Sequence, residues 1–164
     1  SADNTNPTEK VRIDNYGFCR QPYKYHLIVE RSGNLSGVDV AGNFGTAFVY
    51  NNIALEQKDS GLSSAFNTSN GLFTVPVDGI YFCEASVYAP GVSLSQGWFV
   101  VNGSRQTYTD WVQATTSSIV NVNAMIKLTA GNTVGFHPHG GGGQSSVQIN
   151  ATPNHTWMRI TFMG

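Results

Sequence analysis

Charged residues are scarce in this sequence. Of 164 residues, nine are Lys or Arg and ten are Asp or Glu, so 12% are charged and the formal net charge is −1. A typical globular domain carries about twice that share. A chain without clustered Lys and Arg cannot neutralise a phosphate backbone or an anionic lipid surface. We therefore expect no nucleic-acid partner and no basic membrane patch.

Cysteines and long hydrophobic runs are also few. The two cysteines, Cys19 and Cys83, are 64 positions apart, which matches neither a zinc motif nor a dense disulfide framework. They are either small buried side chains or the two halves of one bridge, and the sequence leaves both open. No apolar stretch reaches the roughly 20 residues of a spanning helix, so we expect no membrane insertion.

Signatures of catalysis are missing too. The sequence has no G-x-S-x-G turn, no H-E-x-x-H helix and no neighbouring carboxylates placed as in glycosidases. The tetraglycine at residues 140–143 leads toward a strand rather than into a helix N-terminus, so it does not form a phosphate-binding loop. We predict that the chain is not an enzyme and needs no cofactor.

What the sequence does contain is a series of short apolar, β-branched and aromatic runs, broken by Gly, Asn, Ser and Pro. No long stretch keeps the 3.6-residue period of an amphipathic helix, which predicts an all-β domain. The clearest strand covers residues 120–128, where apolar and mostly polar side chains alternate. Ala130-Gly131-Asn132 then predicts a tight turn, with residues 133–137 returning as the partner strand of a hairpin.

Asn102-Gly103 predicts a second hairpin, because this pair suits a type I′ turn. Residues 98–101 precede the turn, and residues 105–109 would form the return strand. Further strands are predicted at residues 79–89, 147–150 and 157–163. Residues 79–89 and 98–101 are apolar on both faces, so each strand should be covered on two sides. Because a two-layer sandwich buries only one face of each sheet, we expect oligomerisation.

A longer motif lies in the middle of the chain. Residues 66–82 read F-N-T-S-N-G-L-F-T-V-P-V-D-G-I-Y-F, Asn102-Gly103 follows, and residues 128–134 read L-T-A-G-N-T-V. Together they resemble the globular head of complement one-q, a branch of the tumour-necrosis-factor-like jelly rolls, from Gly45 onward. Cys83 departs from the pattern, since the family has Phe there.

The resemblance implies a two-sheet antiparallel jelly-roll sandwich of about ten strands, assembled as a homotrimer. Such an assembly would cover the second apolar faces noted above. We assign the trimer contact to four aromatic residues on these strands: Tyr81, Tyr88, Phe99 and Phe162.

A shorter element precedes the head. Residues 9–17 read E-K-V-R-I-D-N-Y-G, and Gln21-Pro22 follow. They resemble an element found before such heads in bacteriophage structural and tail-fibre proteins. No collagen-like Gly-x-y repeat accompanies it. We divide the chain into an N-terminal tail and attachment segment, residues 1–21, and a jelly-roll head domain, residues 22–164.

These resemblances imply a bacteriophage virion structural protein at the particle surface. It would be a trimeric head, used as a fibre tip, head fibre or similar appendage, that contacts the host cell. Its partners would be itself, other virion proteins held through the N-terminal segment, and a host surface glycan or protein. Two alternatives stay open: a capsid decoration protein that stabilises the shell at threefold positions, and a secreted complement-like lectin or ligand.

A polar stretch with two aromatic residues is the candidate ligand-binding surface. The residues are Tyr108, Asp110, Trp111 and Gln113. A flat aromatic face beside hydrogen-bonding groups is what a sugar-binding surface needs. The alternative is that Trp111 closes the edge of the barrel or a seam between subunits.

His137 and His139 are weak candidates for metal ligands. In an extended strand, two residues apart, both imidazoles would lie on one side. No carboxylate or thiolate adjoins them and the tetraglycine follows, which favours a solvent-exposed loop instead. The family's calcium sites use Asp and Glu, and no acidic residue follows Asp110, so we predict no metal site.

Overall fold

Alternating apolar and polar residues fold into strands in the part of the chain that the computed structural model describes: residues 12–13, 19–20, 24–41, 47–91, 94–106, 118–140, 145–150 and 155–164. In chain order the strands are β1 (Arg12–Ile13), β2 (Cys19–Arg20), β3 (Tyr25–Glu30), β4 (Leu35–Asp39), β5 (Asn52–Lys58), β6 (Phe66–Asn67), β7 (Leu72–Thr74), β8 (Gly79–Ala89), β9 (Leu94–Val101), β10 (Ser104–Arg105), β11 (Ser118–Leu128), β12 (Thr133–Gly140), β13 (Ser146–Ile149) and β14 (Trp157–Phe162). Within these ranges there is no helix of the length and hydropathy needed to cross a membrane.

Two five-stranded antiparallel sheets make up the sandwich. Sheet I has the strand order β11-β8-β14-β3-β5, and sheet II has the order β10-β9-β12-β7-β6. Two smaller ribbons pair β1 with β2 and β4 with β13. Most neighbours within a sheet are distant in sequence, so the chain crosses repeatedly between the layers, as in a jelly roll. The predicted all-β, two-sheet sandwich is confirmed.

Apolar side chains from both sheets fill the space between them. In β8 the side chains of Tyr81, Cys83 and Val87 are fully buried. From sheet II, Phe99 and Phe136 are also fully buried, with ring centroids 5.7 Å apart. Each such side chain stabilises the fold by about 1.5–3 kcal/mol relative to exposure. The core is therefore closed within one chain.

The corner at residues 129–132 corrects a prediction. The strands on either side of it do not form a hairpin, because β11 pairs with β8 in sheet I and β12 pairs with β9 and β7 in sheet II. Val75 fixes the corner: its N–H donates to the Asn132 carbonyl (2.8 Å) and its carbonyl accepts from the Gly131 N–H (2.9 Å). The turn residues are those of a hairpin, but the buried faces of the two strands belong to different sheets.

Other sequence predictions are confirmed. Asn102 and Gly103 have φ angles of 50° and 76° and connect β9 to β10, with Ser104 opposite Val101. Of the predicted return strand, the structure describes only its beginning. The predicted strand at residues 157–163 is present as β14, which lies inside sheet I between β8 and β3.

Cys83 resolves the question of the cysteines. Its thiol is free and its side chain is fully buried in β8, so a bridge to Cys19 does not form. Burial disfavours the thiolate and raises the pKa of Cys83 to about 12. Cys83 acts as a small core side chain where the related pattern has Phe.

The predicted attachment segment contains one described ribbon. Arg12 lies opposite Arg20 and Ile13 lies opposite Cys19 in the β1–β2 pair. The rest of residues 1–21, and Gln21-Pro22, lie outside the described residues. The division of the chain at residue 21 therefore stays a prediction.

Candidate functional site

One face of sheet I is turned away from the core. In β8, residues alternate between the buried side and this outward face, which receives Ile80, Phe82 and Glu84. The strand register places Met125 of β11 and Thr161 of β14 on either side of Phe82. Since paired residues share a face, these side chains form one row across the sheet.

A second row crosses the sheet next to the first. Asn123 of β11 and Arg159 of β14 lie on either side of Glu84. Beyond Arg159 come Ile28 of β3 and then Leu55 of β5. The outward face thus continues across all five strands, and we call it the outward face of sheet I.

Large apolar side chains are exposed on this sheet. The exposed large hydrophobic residues of the described part are Ile53, Leu55, Ile80, Ile119, Met125 and Met163. Four of them, Leu55, Ile80, Ile119 and Met125, occupy outward positions of sheet I, whereas Ile53 pairs with the buried Val29 after a register shift and Met163 directly follows β14. Met125 is 60% exposed and Ile80 is 42% exposed. Apolar groups concentrated on one face of a soluble fold mark an interaction surface.

An ion pair is set into this apolar surface. The Arg159 guanidinium donates from Nη1 to Oε2 of Glu84 at 3.0 Å. The guanidinium carbon also lies 5.4 Å from the centroid of the Trp157 ring, within the range of a cation–π contact. Both partners are partly exposed, so the pair adds only about 0–1 kcal/mol to folding. The ion pair and the ring contact together fix the position of the Arg159 guanidinium.

His26 of β3 continues the first row, between Thr161 of β14 and Gln57 of β5. Its Nδ1 is 2.8 Å from the hydroxyl oxygen of Thr161. Burial, and secondarily the positive charge of Arg159, lower the pKa of His26 below its ordinary value of 6.5. The imidazole is therefore neutral at physiological pH, although it lies on a partly exposed surface.

The predicted trimer residues need correction. The side chains of Tyr81 and Phe99 are 0% exposed and that of Phe162 is 6% exposed within a single chain. Tyr81 packs on Phe162 with ring centroids 5.2 Å apart, and its hydroxyl donates to the Val77 carbonyl at 2.8 Å. Because these three side chains belong to the core, they present no surface to a neighbour, and their assignment to a trimer contact is wrong.

The reason lies in the strand pattern. A run that is apolar on both faces, such as β8, does not show which alternate set of residues points inward. Tyr88 is half-buried, with its ring centroid 5.5 Å from that of His155, and its assignment stays a prediction. The residues that the sequence analysis missed are the alternate ones of β8, Ile80 and Phe82, and Met125 of β11, which lie on the outward face.

The histidine pair lies in a strand rather than a loop. His137 is buried in β12, and its ring centroid is 6.4 Å from that of Trp98. His139 packs on the same indole at 4.5 Å. The solvent-exposed loop favoured for them is therefore wrong. No group of three or more His, Cys, Asp or Glu that could hold a metal ion occurs among the residues the structure describes.

The candidate sugar-binding residues cannot be placed in this surface. Tyr108, Asp110, Trp111 and Gln113 all lie outside the described residues. Their assignment as a ligand-binding surface stays a prediction.

Comparisons with known proteins agree with this architecture. A family model described as the C1q domain matches residues 44–164. The chain is similar to the globular domain of zebrafish complement 1qA protein, with a TM-score of 0.61 and 14% identity, covering 86% of this chain and 98% of that chain. It is similar to murine APRIL at pH 8.5, with a TM-score of 0.57 and 13% identity, covering 85% and 99%. It is also similar to Eiger TNF from S. frugiperda, with a TM-score of 0.51 and 11% identity, covering 88% and 94%. At these identities the likeness concerns the fold. No curated protein sequence matches the chain.

Proposed function

This chain belongs to the C1q domain family, and from that premise we propose that it is a non-enzymatic binding head that assembles as a homotrimer through the outward face of sheet I. The observation that carries the proposal is the apolar character of that face. The core is already closed inside one chain, so the exposed Ile80, Ile119 and Met125 do not serve it.

The size of the face suits an interface. Five strands about 4.8 Å apart span about 19 Å, and the eleven residues of β8 extend about 36 Å. The resulting area, at most about 700 Å², is of the order of the roughly 800 Å² that one partner contributes to a single stable contact, so the two contacts of a ring must also draw on the edges of the sheet. Two neighbours that share this face and its edges would remove most of its apolar surface from water.

The edges of sheet I favour a ring over a pair. β11 and β5 are its two outermost strands, and both expose apolar groups on the outward face: Ile119 and Met125 on one side and Leu55 on the other. A contact of the β11 side of one subunit with the β5 side of the next is heterologous, and such contacts form a ring when the rotation between successive copies closes. Three copies give the ring that the resemblance to the complement head implies.

A charge placed in the interface tests this assembly. Met125→Glu should yield a folded single subunit, because assembly would bury carboxylates in an apolar contact at a cost of several kcal/mol per ion. Ser104→Glu is the matched control, since Ser104 is exposed in β10 at the edge of sheet II. Light scattering gives the mass and circular dichroism verifies the fold. Assembly of the Met125→Glu chain at wild-type strength would contradict the proposal.

We further propose that the head acts at the surface of a bacteriophage particle, as an appendage that contacts the host. The support for this is the resemblance of residues 9–17 and Gln21-Pro22 to the element that precedes such heads in phage structural proteins. A secreted complement-like ligand is equally consistent with the family and the fold. In both cases the assembled head would bind through its surface rather than catalyse a reaction.

Cryo-electron microscopy of purified particles separates these roles. Threefold density of the size of this head on a fibre or tail supports the appendage. The same density capping threefold positions of the shell favours a decoration protein. Absence of the protein from purified particles would rule out both and leave the secreted ligand.

A further inference from the structure

The environment of His26 couples this histidine to the outward face of sheet I. Its imidazole contacts Thr161 through Nδ1 at 2.8 Å. Both residues line a depression of about 380 Å³, whose wall also includes Lys24, Lys58 and Asp59. Thr161 belongs both to this wall and to the row of Met125, Phe82 and Thr161. A neighbouring subunit seated on that row would therefore remove water from the imidazole.

Charged groups of both signs surround His26. From β14, Arg159 acts on the imidazole, and its own charge is balanced by Glu84 of β8. From β5 and its end come Lys58, whose Nζ donates to the Leu62 carbonyl, and Asp59, whose Oδ2 accepts from the backbone N–H of Lys24.

Glu56, the remaining carboxylate of β5, pairs with the buried Leu27 and so lies on the other face of the sheet from His26. Its Oε1 accepts from the hydroxyl of Tyr25 on the core side of β3. A proton on His26 would add a positive charge without a carboxylate partner of its own to a surface that assembly removes from water.

We propose that His26 makes the trimer sensitive to acid: the neutral imidazole is compatible with the closed interface, and its protonation opens it. This inference rests on the trimer proposed above.

The direction follows from linkage. In the free subunit, burial and Arg159 already lower the pKa of His26 from 6.5. Cover by a neighbour lowers the pKa further, so the trimer binds fewer protons than three free subunits. Assembly is then at full strength above the pKa of the free subunit and weakens as the pH falls through it. Each pKa unit of difference weakens assembly about tenfold per subunit at the acid end.

Sedimentation velocity from about pH 8 to about pH 5, the range in which histidine titrates, tests this proposal. The readout is the dissociation constant at about pH 5 divided by that at about pH 8, determined for each variant separately. A change in absolute affinity therefore does not affect it. For the wild type we expect the ratio to be at least about tenfold, and for His26→Gln close to one. Circular dichroism at each pH verifies that the subunits stay folded.

Two histidines serve as controls. His139→Gln changes another imidazole with a lowered pKa, in sheet II. His155→Gln changes the histidine that packs against Tyr88 of sheet I. Both variants should keep the wild-type ratio. If His26→Gln does not fold, His26→Asn replaces it.

The outcomes are distinct. A wild-type trimer with the same dissociation constant across the range overturns the acid sensitivity and leaves the trimer intact. Equal ratios in the wild type and His26→Gln would assign the acid sensitivity to another group and overturn the role of His26. A ratio that falls to about one in His155→Gln would do the same. A single subunit already at about pH 8 overturns the trimer itself, and the inference with it.

Discussion

Tyr81 and Phe82 are neighbours in β8 whose side chains lie on opposite faces of sheet I, so truncating each separates folding from assembly. Tyr81→Ala removes a fully buried ring that contacts Phe73 and Phe162 with centroid distances of 6.0 and 5.2 Å. Loss of a buried aromatic ring costs about 3–5 kcal/mol. The lost hydrogen bond from its hydroxyl to the Val77 carbonyl adds about 1 kcal/mol.

For a domain of this length, the loss from Tyr81→Ala lowers the melting temperature by roughly 2–4 °C per kcal/mol.

Phe82 is half-buried on the outward face. Phe82→Ala should therefore cost the isolated subunit little stability, but weaken assembly by about 2 kcal/mol or more if Phe82 is central to the contact.

Urea unfolding, carried out at protein concentrations below the dissociation constant of the trimer, measures the loss of subunit stability. Sedimentation measures the loss of assembly. Tyr81→Phe is the matched control, since it removes only the hydroxyl. A larger loss of subunit stability from Phe82→Ala than from Tyr81→Ala would refute the assignment of the two faces.

Two further predictions concern the core. Gly71 has φ +71°, and a Cβ there would overlap the carbonyl oxygen of Phe48, so Gly71→Ala should lower the free energy of unfolding by more than about 1 kcal/mol in urea titrations. Gly61→Ala, with open space around it, is the control, and equal losses at the two glycines would contradict the argument. The Cys83 thiol, buried and with its pKa raised to about 12, should react with a thiol reagent only after denaturation. Rapid modification of Cys83 in the folded protein would mean that this part of the core opens in solution.

The strands could be predicted from the sequence where alternation is strict. Residues 120–128 of β11 carry apolar side chains at every second position, and the structure confirms both the strand and its buried set. The Asn102-Gly103 turn was predictable because few residues other than Asn and Gly adopt positive φ at two successive positions. In these two cases the conformational preferences of a few neighbouring residues are enough to predict the strand or the turn.

Where a strand is apolar on both faces, the sequence alone does not show which face points into the core. β8 is apolar on both sides, and only its register with β11 and β14 shows that Tyr81 faces the core and Phe82 faces outward. The corner after β11 has the residues of a hairpin turn, yet Val75 ties it to a crossover between sheets. The glycines that follow His139 favour a loop for His137, whereas packing against Trp98 holds His137 in β12.

The mass of the unmodified chain in solution tests the central claim most directly. Sedimentation equilibrium at micromolar concentration and about pH 8 should give three times the subunit mass of 17.7 kDa. A single species of 17.7 kDa, folded and stable with the outward face of sheet I exposed to water, would contradict the account.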